Sequence, residues 1–483
     1  MSPTLVGSII LGYFALLIAV SWITSKNSTP DDFYTAHRQS PWYLVAFGMI
    51  GASLSGVTFI SVPGEVGTSN FHYFQVVLGY LVGYLVIGTV LLPLYYRLNL
   101  VSIYTYLDQR FGFWSYKTGA FFFLLSRVIG ASFRLFLVAG VLQITFFDSF
   151  GLPFWVAVLT TILLIWLYTF RGGIKTIVFT DTLQTAFMLV AVVITIWFVK
   201  DSLDYGWDEL VSKVTSDSRS TIFNWDWQSK NNFFKQFFAG AFIAIVMTGL
   251  DQDMMQKNLT CRTIGDAQKN MFWFSIILVF VNMLFLTMGL FLFQFAEASM
   301  IEIPARTDSL YPILATQHFA LIGGVVFLLG ITAAAYSSAD SALTALTTSF
   351  CVDFLGFKSE NYHSKTTTRK WVHFGFSIIL FGVILIFNSI NDQSVITSIF
   401  VAAGYTYGPL LGLFSFGILT TRKLKDQWVM IVCVAAPVMS YIINRNSIDW
   451  LWGYKFGFEI LILNGILTFL GLWMISSSSS NEK

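Results

Sequence analysis

Between Ile331 and Leu355 the chain reads ITAAAYSSADSALTALTTSFCVDFL, an apolar stretch long enough to cross a bilayer. Its middle nonetheless carries Ser337, Ser338, Asp340, Ser341, Thr344, Thr347 and Thr348. Lipid offers such groups no partner, so this face must turn toward protein, water or an ion. At about 100° per residue, Ala334, Ser337, Ser338, Asp340 and Ser341 share one arc of roughly 160°, with Ser337 and Ser341 one turn apart. Hydroxyls, carbonyls and a carboxylate are hard oxygen donors suited to a small hard cation, and no His or Cys joins them in that arc to suggest zinc or copper. Small residues also let membrane helices pack closely, which would explain any one of these serines alone. Asp340 argues for a site, because a carboxylate near mid-helix costs about 2.5–3.5 kcal/mol on insertion scales.

The rest of the chain supplies the bilayer setting. It has 483 residues, 55% of them hydrophobic and 11% charged, with mean hydropathy +0.69. Apolar blocks of about 20 residues recur throughout, so the expected class is an all-α polytopic membrane protein of about thirteen transmembrane helices. The net charge of +2 says little about partners, because in a membrane protein the distribution of charge matters and its sum does not; no nucleic-acid partner is expected. Cys261, Cys351 and Cys433 show no paired or metal-binding spacing. The first apolar block has no basic leader and no clear cleavage site, and reads as a retained first span. Most of the 28 Lys and Arg collect on one side when alternate loops are compared, which predicts the N-terminus outside and the C-terminus cytoplasmic. The longest loop, Lys200 to Asn232, then lies outside.

Two spans look broken. In AFGMIGASLSGVTFISVPG, Gly48, Gly51, Gly56, Pro63 and Gly64 interrupt a helix amid Ser53, Ser55 and Thr58, freeing carbonyls at membrane depth. In IAIVMTGLDQDMMQKN, Thr248, Gly249, Asp251, Gln252 and Asp253 precede a basic exit at Lys257. Asp253 reads either as part of a site or as the polar end of a helix. Interrupted segments five spans apart are the pattern of an inverted-repeat transporter whose site lies where the breaks meet.

The second span, RGGIKTIVFTDTLQ at 171–184, DQDMMQ at 251–256, AAYSSADSA at 334–342 and GYTYGPLLGLFSFGILTTR at 404–422 together resemble the solute:sodium symporter family, which carries sugars, proline, pantothenate and sialic acid. The resemblance implies a LeuT-type 5+5 inverted repeat with one extra N-terminal and two extra C-terminal helices. It makes 1–475 a single transporter domain, with repeats near 43–199 and 233–420 and a disordered tail at 476–483. The family's main sodium site maps onto Gly51, Leu54, Ala334, Ser337 and Ser338. A second cation site, present in some members, maps onto Asp181, Ser337, Asp340 and Ser341. Relatives have serine where this chain has Asp340. Two carboxylates around one cation would either bind sodium more tightly or share a proton, and one Na⁺ would leave the pair a charge short, to be balanced by a proton or another positive group.

Substrate contacts in the family map onto Ser53, Ser55, Thr58, Gln75 and Thr248, with Tyr405 and Tyr407 as further candidates. Arg127 and Arg134, spaced i,i+7, share a face of one helix. In sialic acid transporters an arginine of that helix holds the substrate carboxylate, although a gap-free match puts Ala131 at that position. Pairing of one arginine with an internal acid is the competing expectation.

The resulting expectation is a sodium-coupled secondary active symporter, functional as a monomer, that imports a small polar organic solute by alternating access, using one or two Na⁺ and no organic cofactor. With about 100 mV and a tenfold gradient, each Na⁺ supplies about 3.7 kcal/mol. A proton-coupled version of the same transporter is the alternative. A transporter-like sensor would need a fused signalling domain. An intramembrane enzyme would need a catalytic set that the five histidines, His37, His72, His318, His363 and His373, do not form.

Overall fold

A computed structural model of the chain describes residues 2–24, 39–100, 102–169, 174–357, 366–390 and 394–477. The glycines of the 171–184 motif, the last residues of the tail and the side chain of Asp340 lie outside the described set. Helices dominate, as they must where lipid cannot satisfy backbone groups: α1 Pro3–Thr24, α2 Trp42–Ser53, α3 Gly56–Ser69, α4 Tyr73–Val86, α5 Phe113–Thr145, α6 Phe154–Thr169, α7 Ile174–Ser202, α8 Phe233–Ala244, α9 Gln252–Asn258, α10 Ile264–Ala298, α11 Leu321–Ser349, α12 Thr366–Ile390, α13 Val395–Thr406, α14 Gly408–Leu419, α15 Val429–Arg445 and α16 Ile460–Met474. Among the described residues, strand pairing within a sheet is confined to Lys423–Leu424 against Ser476–Ser477.

Among the described residues, eight helices are long and apolar enough to cross a membrane, or ten when each bent pair counts as one span. The expected thirteen is not reproduced by that criterion, because crossings broken in two or cut short, such as α2 and α16, fail a length test.

Both expected breaks occur. The first falls between α2 and α3, where Leu54 (ψ 74°) and Ser55 (ψ 177°) leave helical geometry. Gly48, Gly51 and Pro63 remain inside helices, so these residues ease packing and do not mark the break. Gly51 allows close approach: a Cβ there would overlap the Thr185 hydroxyl and lie 3.2 Å from the Asp181 carbonyl. The second break lies at Leu250 and Asp251, where α8, after a wide turn over Ile245–Gly249, meets α9 at 72°. Asp251 caps α9, accepting from the N–H groups of Asp253 at 3.0 Å and Met254 at 3.3 Å.

Long apolar stretches do not all form single helices. Residues 394–420 make two helices bent by 48° at Tyr407, where Gly408-Pro409 removes a helix donor. Within 312–352 the long helix starts at Leu321, because Phe319 (ψ 153°) and Ala320 (ψ 159°) are extended. The Lys200–Asn232 segment contains the short helix Leu210–Ser216, and Arg219 clamps it by pairing with Asp217 at 2.7 Å and Glu297 at 2.7 Å. Hydrogen bonds from Arg219 hold the Asp217 carboxyl below the ordinary carboxylate range.

Candidate functional site

The break after α2 leaves the last carbonyls of that helix without i+4 donors. The serine-rich face of α11 meets them. Ser338 Oγ donates toward Ala52 O and Ala334 O, both at 3.5 Å. Oxygens held at about 2.4 Å around a cation of this size class are spaced about 3.4 Å apart in octahedral geometry, so this loose spacing suits an ion better than a hydrogen bond. One residue earlier on the same helix, the Ser337 hydroxyl donates to Asp181 Oδ1 on α7 at 2.7 Å. Ser337, Ser338 and Asp181 are all fully buried.

The second break is finished differently. The Gly249 carbonyl accepts from Tyr95 Oη at 2.8 Å, and the Leu250 carbonyl from Tyr104 Oη at 2.9 Å. Gln252 Oε1 accepts the Ile103 N–H at 2.9 Å. The protein thus satisfies the carbonyls of this break with its own fixed donors, while Ala52 at the end of α2 receives only a long contact from Ser338.

Between the two breaks lies a cavity of about 100 Å³, against the ten-odd Å³ one water needs. Ser53, Ser55, Thr58, Arg127, Arg134 and Thr248, all named from sequence as candidate substrate contacts, line it. Tyr73, Tyr80 and Tyr84 of α4, and Asn282, line it too. The tyrosines were missed, although their spacing on an otherwise apolar helix marks one polar-tipped face. Tyr73 Oη and Tyr80 Oη are 3.3 Å apart. The Tyr73 ring stacks on Phe400, with centroids 6.3 Å apart and planes 9° off parallel.

Tyr73 and Ile396 also line a larger cavity of about 810 Å³ that holds Glu65, Asp308, Lys230, Tyr405 and Asn444. This vestibule sits directly beyond the central cavity. At its floor Glu65 accepts from the Ser394 hydroxyl and from Thr397 Oγ1 at 3.1 Å, while Asp308 accepts the Val395 N–H at 2.9 Å. Three carboxylate contacts therefore tie α3 and the Thr307–Ser309 turn to the start of α13.

Several expected residues belong elsewhere. Gln75 is a loop clamp and does not line the cavity: its amide donates to Asn231 O at 2.9 Å and accepts the Asn224 N–H at 3.1 Å. Tyr405 faces the vestibule and accepts from Asn444 Nδ2 at 2.8 Å. Tyr407 donates to Asp251 Oδ2 at 3.0 Å. Arg127 reaches the cavity wall, but its guanidinium is held by Asp253 and, at 3.5 Å, by Asp251. The internal-acid alternative is therefore the one realised for Arg127, and Asp253 is a buried ion-pair partner. Arg134 has no ion pair among the described residues and faces both the central cavity and a small adjoining one beside Tyr407.

The main correction concerns the second cation site. Lys257, read from sequence as a basic loop exit, is buried with 1% exposure. Its Nζ lies 2.9 Å from Asp181 Oδ2, 3.0 Å from Ser341 Oγ and 3.9 Å from Asp253 Oδ1. An ammonium therefore already faces Asp181, the positive group that the sequence leaves open between a proton and another cation. The fourth expected member, Asp340, sits on α11, its side chain outside the described set.

Two helices broken at membrane depth, with a serine-rich helix across from one break and a polar cavity between them, define a cation-coupled transporter. The sodium:solute symporter family profile matches residues 33–427, and the chain belongs to that family. It is 23% identical over 479 residues to the sodium/sialic acid symporter NanT of Aliivibrio fischeri, covering 95% of this chain and 92% of that one. It is 25% identical over 404 residues to the human sodium-coupled monocarboxylate transporter 2, covering 81% of this chain and 64% of that longer protein. A solved structure of a Na⁺-coupled sialic acid symporter in a substrate-bound outward-open state superposes with a TM-score of 0.81 at 19% identity, covering 97% of each chain. The chain accordingly has the LeuT-type fold and is a multi-pass membrane transporter that uses Na⁺ to move a small solute.

Proposed function

We propose that this protein imports a small solute carrying an anionic group, driven by Na⁺ bound among Gly51, Leu54, Ala334, Ser337 and Ser338. The observation that carries the sodium site is the contrast between the two breaks. Tyr95 and Tyr104 close one with hydrogen bonds near 2.9 Å, whereas Ser338 lies 3.5 Å from carbonyl oxygens of both helices at the other. Sodium bound there holds α2 to α11 and so shapes the cavity wall formed by Ser53, Ser55 and Thr58, which couples ion to solute. The N-terminus is taken as outside and the C-terminus as cytoplasmic, which makes the vestibule the outer entrance. The repeats are taken as about 43–199 and 233–420, and the working unit as a monomer.

The solute's charge follows from Arg134. A guanidinium at membrane depth without a protein carboxylate is costly, and its planar donor fork fits a carboxylate. Arg127 is already neutralised, so the anion falls to Arg134, with Thr248, Asn282 and the tyrosines of α4 left to read hydroxyl or amide groups. The two relatives, named as sialic acid and monocarboxylate carriers, are consistent with this class. Uptake into proteoliposomes under an inward sodium gradient, screened across sugar acids, monocarboxylates, amino acids and neutral hexoses, tests it. The expected result is transport of a carboxylate-bearing solute that Arg134→Ala abolishes. Transport of neutral hexoses alone, undiminished in Arg134→Ala, would overturn it.

A further inference from the structure

Lys257 places its Nζ against Asp181 and Ser341, two of the residues that the family resemblance assigns to a second cation site. It belongs to α9, the half-helix that the second break turns inward by 72°, and Asp251 fixes the start of that half-helix through two backbone N–H groups. This aims a side chain from the end of an interrupted span at the gap between α7 and α11. The Lys257 ammonium there meets Asp181 Oδ2 at 2.9 Å and Ser341 Oγ at 3.0 Å, while the other Asp181 oxygen accepts from Ser337 at 2.7 Å. One carboxylate oxygen thus faces the fixed cation, and the other orients a serine of the sodium site.

We propose that the Lys257 ammonium is a covalently tethered second cation, occupying the Asp181–Ser341 position permanently, so that one Na⁺ and not two binds per transport cycle. The proposal rests on the reading of Ser337 and Ser338 as ligands of the mobile sodium. Its chemistry is direct. A carboxylate and a hydroxyl are the donors a second Na⁺ would need, and an ammonium presents a similar compact positive charge to the same oxygens. Because the ammonium cannot leave, the position adds no transported charge. It does add rigidity: Asp253 accepts from Arg127 with one oxygen and lies 3.9 Å from Lys257 with the other. Buried polar and charged groups therefore run from Ser337 through Asp181, Lys257 and Asp253 to Arg127 on the wall of the central cavity.

Equilibrium binding of ²²Na⁺ to the purified full-length chain in detergent, with choline as the balancing ion at about pH 8, tests the count directly. Wild type is expected to bind one sodium per chain with a Hill coefficient near one. Lys257→Ala frees the Asp181 carboxylate and opens room for an ion, so it should bind two, with a coefficient above one. Since Lys257→Ala leaves a buried carboxylate without its partner and risks misfolding, the paired variant Asp181→Asn/Lys257→Gln keeps volume and hydrogen bonding while removing both charges. It should bind one sodium and not two, because the carboxylate that would hold a second ion is gone; the readout is the count, since Asp181 also orients Ser337. Two sodium ions bound by wild type, or two bound by the paired variant, would overturn the proposal. So would one ion in wild type and a folded Lys257→Ala alike, since the Asp181 position would then not be a cation site. No sodium bound to wild type would instead refute the sodium reading of Ser337 and Ser338, and the tethered-cation proposal with it.

Discussion

Gly51→Ala is the substitution whose effect can be worked out most fully from the geometry. The added Cβ would overlap the Thr185 hydroxyl and lie 3.2 Å from Thr185 Cβ and from Asp181 O. The hydroxyl cannot turn away freely, because it donates to Asp181 O at 2.7 Å and lies 3.2 Å from Phe47 O. Overpacking of this kind costs about 1–3 kcal/mol. The simplest relief is for α2 to draw away from α7, which carries the Ala52 carbonyl off the α11 serines. With that strain falling on the sodium-bound arrangement, at about 1.4 kcal/mol per tenfold the apparent sodium affinity drops by about 5- to 150-fold. Thr185→Ala removes the overlapping oxygen at a cost of about 0.5–1.5 kcal/mol for its hydrogen bond. The double variant should therefore bind sodium better than Gly51→Ala alone. The assay is ²²Na⁺ binding to all four proteins as a double-mutant cycle. Sodium affinity in Gly51→Ala within about threefold of wild type, or no recovery in the double variant, would refute the placement of the sodium site against this helix contact.

Asp308, in the turn between the α10 and α11 spans, is 5% exposed, and burial, with Glu65 nearby, pushes its carboxyl up to about 6 against the opposing Val395 N–H. A native-state value above the unfolded one means that the native state binds the extra proton, so stability falls as pH rises from about 4 to about 6, by at most about 3 kcal/mol. Thermal melts in detergent should show a lower midpoint at pH 7 than at pH 5, with a shallower drop in Asp308→Asn; an equal drop in both would rule out this carboxyl as the cause. Arg127→Ala leaves Asp251 and Asp253 buried without their cation, and breaking such a pair costs about 3–5 kcal/mol. It should melt well below wild type, with partial recovery in Arg127→Ala/Asp253→Asn. An unshifted melt would show that the ion pair contributes nothing to the fold.

The serine-rich face of α11 and the break after Ser53 were legible because polar side chains and glycines at membrane depth have few structural excuses. The fate of Lys257 was not. It follows DQDMMQ, which has the composition of a polar helix exit, and only the 72° turn of α9 carries it back into the protein. Nothing in the local pattern encodes that angle. Gln75 looked like a cavity residue for the opposite reason: its position on α4 is right, but its amide is captured by the 224–231 loop, a contact about 150 residues away in sequence. Arg127 and Arg134 are indistinguishable by spacing and helix face. Asp251 and Asp253, delivered by the second break, separate their roles. The bend at Tyr407 was readable in Gly408-Pro409 and was passed over because the flanking residues form one unbroken apolar block.

The most direct measurement of the central claim is solute accumulation in proteoliposomes carrying either wild type or Ser337→Ala/Ser338→Ala, with the internal and external cations set independently. Wild type should concentrate its solute above the external level when sodium is outside and potassium inside, and should stop doing so when choline replaces the sodium. The double variant should insert normally but bring its solute only to equilibrium. Accumulation by the double variant with the sodium dependence of wild type, or accumulation by wild type driven by a proton gradient in the absence of sodium, would contradict the account.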